Sequence, residues 1–254
     1  MGEVTSLRRM GWVLLAVFVL CVLVAFLLFR APMFAVKDIQ IAGASRTTDG
    51  AIRSALAFTD DQPLISIDGF EAETSIESLP WVADADVVRR WPSMVRVTIR
   101  ERTPSAAVRA NGDWLVLDEQ AMVLERRLTP PHDLPLIVAS QTMVDTAAVG
   151  ATLPAFEGVL RTSLGVPKQL DPWIESWLVD SDGTVRADLR GSAHALFGRN
   201  TDHVSQFVSL ASIVGGTIEL TCVSEIDLTT PETPILARDE LCLEASLAMT
   251  PEGS

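Results

Sequence analysis

Two kinds of hydrophobic pattern divide this chain. The first is a block: Gly11–Phe29 runs nineteen residues without a charge. As a helix it would be about 28 Å long, enough to cross the hydrocarbon core of a bilayer. Arg8 and Arg9 precede it, Arg30 follows, and Trp12 sits at its inner edge, where an amphipathic ring is favoured. The run is longer than the apolar core of a signal peptide. Arg30, Pro32, Met33 and Phe34 stand where a small-residue cleavage site would be. The block predicts an uncleaved transmembrane helix over 11–29, with residues 1–10 as a short cytoplasmic tail. Nothing polar interrupts it, so it reads as an anchor and not as an ion or proton path. Ten residues are too few to fold, which places the functional mass on the outer side.

The second kind of pattern is short and periodic. Val36–Ala42 reads as a strand with Ile39 and Ile41 on one face, ended by Gly43. Thr48 offers a helix N-cap with Asp49 in the first turn, and Ile52, Ala55 and Leu56 follow at helical spacing. After the break at Asp60-Asp61-Gln62-Pro63, a second helix is predicted over Glu71–Leu79, stopped by Pro80. Val82–Arg90 reads as a strand. Trp91-Pro92-Ser93 turns the chain into Met94–Glu101, where Val95, Val97 and Ile99 alternate with Arg96, Thr98 and Arg100. The order β-α-α-β-β predicts a mixed three-stranded sheet backed by two helices.

Beyond Pro104 the spacing changes. Strands are predicted at Ala106–Arg109, Trp114–Leu117, Val123–Arg126, Trp177–Val179, Val185–Leu189 and Ile218–Val223. Asn111-Gly112 and Asp182-Gly183 are turn signals between some of them. Asn200–Val214 has a helical stripe closed by Gly215-Gly216. Residues 129–176 hold six prolines and no clear period, and Ala237–Ser254 reads as an acidic, partly disordered tail. The fold class is α+β: an anchor at 11–29, a small module over 34–103, a mainly antiparallel β domain with a late helix over 104–236, and the tail.

Composition narrows function by exclusion. A net charge of −13 argues against nucleic acid and against an extended grip on anionic lipid. His132, His194 and His203 share no ligand spacing with cysteine or carboxylate, so no metal or cofactor is expected. No nucleophile motif accompanies them, and the chain reads as no enzyme. Cys222 and Cys242 permit a disulfide if their region lies in an oxidising compartment. Two unpaired thiols are the alternative.

Several runs together resemble the FtsQ/DivIB family of bacterial division proteins. They are Phe34–Gly43, Leu79-Pro80-Trp81-Val82, Arg89-Arg90-Trp91-Pro92, Glu101-Arg102 with Pro104-Ser105-Ala106, and Ile226-Asp227-Leu228 before Pro231. The resemblance implies that the small module is a POTRA domain. It also implies a non-enzymatic, single-pass scaffold in the cytoplasmic membrane at the division septum. Such a scaffold would bind FtsB- and FtsL-like bitopic partners and help localise and regulate septal peptidoglycan synthesis. It further implies a recruitment face on the second POTRA strand, at Val87 and Arg89. An edge strand for the FtsB-like partner would lie in Glu225–Leu236, through Glu225, Ile226, Leu228, Thr229 and Thr230. Ala121 stands where the family usually has glycine, which predicts a different turn there. A membrane-tethered POTRA protein of secretion or envelope chaperoning is the alternative function. An anchored envelope hydrolase is a remoter one.

Overall fold

The computed structural model describes residues 12, 14–24, 26, 34–56, 58–59, 61–139, 144, 147–199, 203–216 and 222–242. Two compact units divide it, at Arg102/Thr103. Residues 12, 14–24 and 26 are helical, with their large apolar side chains exposed. Among the described residues no helix is long and apolar enough to cross a membrane. Gly11, Val13, Ala25 and residues 27–29 of the expected span lie outside the described residues.

The rest of the first unit runs β1 (Asp38–Ala42), α1 (Asp49–Ala55), a short 3-10 turn (Leu64–Ser66), α2 (Gly69–Glu77), β2 (Val82–Arg90) and β3 (Met94–Glu101). Strand order is β1-β3-β2, with β1 parallel and β2 antiparallel to β3. The Thr48 side chain accepts from the Ala51 N–H and caps α1, as its position predicts. Asp68 does the same for α2 by accepting from Phe70 and Glu71 N–H, which starts that helix two residues earlier than the apolar stripe suggests. Val95, Val97 and Ile99 point into a core with Ile52, Leu64 and Ile76, while Arg96, Thr98 and Arg100 face out. On β2 a register shift between Val82 and Asp84 changes the alternation, so Val82, Ala85 and Val87 are all buried. Gly43 is required by contact: its φ is +88° and a Cβ there would lie 2.0 Å from the Ile99 carbonyl oxygen.

The second unit is one nine-stranded sheet with helices. Its elements are β4 (Pro104–Ala110), β5 (Asp113–Asp118), β6 (Val123–Arg127), β7 (Leu136–Ala139), α3 (Glu157–Leu164), β8 (Ile174–Val179), β9 (Val185–Leu189), β10 (His194–Gly198), α4 (His203–Val214), β11 (Val223–Asp227) and β12 (Ile235–Arg238). Strand order is β12-β11-β10-β9-β8-β7-β4-β5-β6. Pairings are antiparallel except β4·β7, β7·β8 and β10·β11, which are parallel. Phe156, Leu160, Phe197, Phe207 and Leu210 fill the core between helices and sheet.

Four expectations change here. The 129–176 region contains β7 and α3. The strand expected at Ile218–Val223 lies mostly outside the described residues, and β11 begins where that expectation ends. Ala237 and Arg238 belong to β12, so the tail expected from Ala237 is structured through Cys242. The turn at Ala121 keeps the left-handed conformation, with φ 59° and the methyl fully buried. The Asp118 carboxylate holds that turn by accepting from Gln120 and Met122 N–H at 3.0 and 2.8 Å.

Candidate partner interface

Sheet edges are where these two units can accept another chain, because an unpaired strand presents a row of open N–H and C=O groups. In the first unit both edges are covered by helix side chains. On β1, the Arg53 guanidinium donates to the Ile39 carbonyl at 3.0 Å. On β2, Glu73 accepts from Val87 N–H at 2.9 Å and Glu77 from Ala85 N–H at 3.1 Å. Val87, expected on a recruitment face, is buried with only 8% exposure, because it faces the helices. Arg89 is exposed, and its guanidinium lies 3.5 Å from the Ile67 carbonyl. The two residues therefore do not share one open surface.

In the second unit the β6 edge is partly strapped, since Val123 N–H donates to the Ala151 carbonyl and Gly150 N–H to the Val123 carbonyl. The other edge is β12. It pairs with β11, and among the described residues no further strand lies beyond it. Its exposed side chains include Ile235, at 66%.

Within the expected segment Glu225–Leu236, the structure places Glu225–Thr230 one strand in from this edge and Ile235 and Leu236 on it. Glu225 and Ile226 lie on β11, which pairs with β10 on one side and β12 on the other, so neither offers an open edge. Leu228 is fully buried and its N–H donates to the Leu196 carbonyl at 2.9 Å. Thr229 folds back onto Asp227 through its N–H and hydroxyl, at 2.8 and 2.6 Å, and the Thr230 carbonyl accepts from Thr233 N–H. These residues build the connection that presents β12.

Two devices fix that connection. Gln206 on α4 is fully buried and its amide donates to the Phe197 carbonyl at 2.8 Å and the Leu228 carbonyl at 2.9 Å. Its oxygen faces the His203 ring, which also meets the Thr162 hydroxyl at 2.9 Å. Cys222 and Cys242 form a disulfide with Cα atoms 5.5 Å apart, tying the start of β11 to the turn after β12. The hydrophobic pattern carried no signal for Gln206, which lies on the buried face of α4 with Phe207, Leu210 and Ile213, whereas Val204 and Val208 are exposed.

Residues 34–102 match the family model for the POTRA domain, FtsQ-type. The chain is 30% identical over 115 residues to the cell division protein FtsQ of Streptomyces bingchenggensis, covering 45% of this chain and 43% of that one. It is 33% identical over 128 residues to the FtsQ of Caulobacter vibrioides, covering 50% and 41%. With the FtsQ of Myxococcus fulvus it shares 30% identity over 138 residues, covering 54% and 46%. The chain carries a POTRA domain of the FtsQ type and is similar to FtsQ cell division proteins over about half of its length. Each of these matches spans less than half of the relative's own length.

The electrostatics of this FtsQ-type module concentrate at one loop. Glu101 at the end of β3 accepts from the Ser45 hydroxyl and from the N–H groups of Ser45, Arg46 and Thr47, at 2.6 to 3.0 Å for the closest contacts. Burial alone would raise its pKa. The Ser45 hydroxyl and the three backbone donors outweigh that and hold it at about 2. Arg46 also lies over the Trp81 ring at 4.9 Å. Among the described residues no group of three or more His, Cys, Asp or Glu could hold a metal ion. In the second unit, a hollow of about 490 Å³ is lined by His132, Asp133, Ser163, Asp171, Glu175 and Trp177 among others. The Ser163 hydroxyl there donates to the Leu160 carbonyl within its own helix.

Proposed function

We propose that this chain is a non-catalytic, membrane-anchored scaffold of the bacterial division machinery. The FtsQ relatives are cell division proteins, and the POTRA match and the apolar 11–29 segment support the same reading. On this reading residues 11–29 anchor the chain with its N-terminus cytoplasmic, and the two units act outside. The disulfide fits an oxidising exterior. The POTRA module serves recruitment, with Arg89 as its accessible contact. The β12 edge takes up a strand from an FtsB-like bitopic partner, with an FtsL-like protein joining the complex, and so helps place septal wall synthesis.

The open edge of β12 carries this proposal, because strand addition supplies affinity through backbone hydrogen bonds and needs no special side-chain chemistry. Binding of the full chain in detergent to the purified FtsB-like partner tests it. Ile235→Lys puts a charge on the exposed edge, and Leu236→Pro removes a backbone donor; each should weaken binding by about tenfold or more. Unchanged affinity in both variants, with native circular dichroism, would exclude β12.

A further inference from the structure

Trp91 is exposed (53%) on the β2–β3 turn; among the described residues of the module Ile65 and Phe70 are exposed too, but on the helical side of the chain and not at this turn. The Trp91 ring meets that of Phe34 edge to face, with centroids 5.8 Å apart and planes at 74°. Phe34 is the first described residue after the apolar segment, and only residues 30–33 separate it from Phe29. Five extended residues reach at most about 18 Å, so Phe34 lies within that distance of the hydrocarbon boundary and can reach the headgroup layer, about 5–8 Å thick. The chain just after Phe34 is fastened to the same turn: Lys37 N–H donates to the Ser93 carbonyl at 2.9 Å. Val36 and the 61–62 segment are joined by two more backbone bonds, Val36 N–H to Gln62 and Asp61 N–H to Val36. The Trp91–Pro92 turn is thus held beside the point where the chain leaves the anchor.

From this juxtaposition we propose that the Trp91–Pro92 turn is a membrane-interface contact, with Trp91 and Phe34 seated among lipid headgroups. Tryptophan favours that layer because its ring is amphipathic. The charged groups around the turn are Lys37, Arg89 and Arg90, against Asp38 and Asp61. They are too nearly balanced for an electrostatic grip, so the contact requires the aromatic pair and not anionic lipid. It orients the POTRA module by a second point of attachment, leaving the opposite end, with Ser45 and Glu101, away from the bilayer.

The inference rests on residues 11–29 being an anchor, and one labelling experiment separates the two. The full chain is reconstituted in phosphatidylcholine vesicles without other protein. An environment-sensitive fluorophore is attached in turn to native Cys21, to Ser93→Cys and to Ser78→Cys, the last two in a Cys21→Ser background. Lipids carrying a doxyl group at a shallow acyl position serve as quencher. The expected result is quenching at Cys21, at least about twofold quenching at position 93, and none at position 78, with Trp91→Ala reducing the signal at 93. Quenching at Cys21 with equal signals at 93 and 78 would overturn the interface contact alone. No quenching at Cys21 would overturn the anchor and the contact with it.

Discussion

The Glu73 carboxylate accepts a hydrogen bond from the backbone N–H of Val87, standing where a neighbouring strand would place its carbonyl. Glu77, one helical turn on, does the same at Ala85. At the start of the same helix, Gly69 comes close enough for a Cβ to lie 3.4 Å from the Val87 carbonyl oxygen. α2 therefore lies along β2 and occupies its edge. The double variant Glu73→Ala, Glu77→Ala should lose about 1–2 kcal/mol of stability and expose two amides. Hydrogen exchange should quicken at Ala85 and Val87, and the chain should begin to self-associate through β2. Retained protection at both amides would show that the carboxylates are incidental.

Glu101 makes the stability of the first unit depend on acid. Its pKa is lowered from 4.5 to about 2 on folding, so its contribution is complete above about 4.5 and is lost as pH falls towards about 2. Glu101→Gln should cost on the order of 1–2 kcal/mol at neutral pH, allowing for solvent screening, and little near pH 2. Melting curves of both proteins across this window check it; parallel curves would contradict the assignment.

The buried Gln206 amide donates to two carbonyls, those of Phe197 and Leu228. Replacing it by leucine keeps the volume and strands both acceptors in the core. A loss of about 1–3 kcal/mol is expected in chemical denaturation, larger than for a typical helix-surface change.

The Cys222–Cys242 bond closes a loop that contains β11 and β12. Reduction, or Cys222→Ser with Cys242→Ser, should cost up to about 3 kcal/mol through the freed unfolded chain. The loss should be local: exchange should rise in residues 235–242 before it rises in β4 or β5. Uniform exchange across the sheet would argue against a local clamp.

Sequence pattern was sufficient for β2 and β3 to the residue, because β3 alternates strictly and a Trp-Pro turn separates the two. It failed for β7, β10 and β12. β7 is four residues preceded by prolines and pairs in parallel on both sides, so it has neither length nor alternation. β12 is an edge strand with mostly exposed side chains, and nothing in Ile235–Arg238 marks it as extended. The expected segment Glu225–Leu236 therefore spans two strands, β11 with its inward apolar residues and the first half of β12. Covered edges were also illegible, since Glu73 and Glu77 look like solvated helix positions until β2 is placed beside them.

Among the described residues of the second unit, the last strand in chain order is also the last in the sheet. β4, β5 and β6 can pair as soon as they are made, but β12 needs β11, and β11 needs β10 in parallel beside it. A truncated or half-translocated chain therefore has no such edge to show. Capture of a strand at β12 would act as a completion check, admitting only finished molecules into the assembly they join.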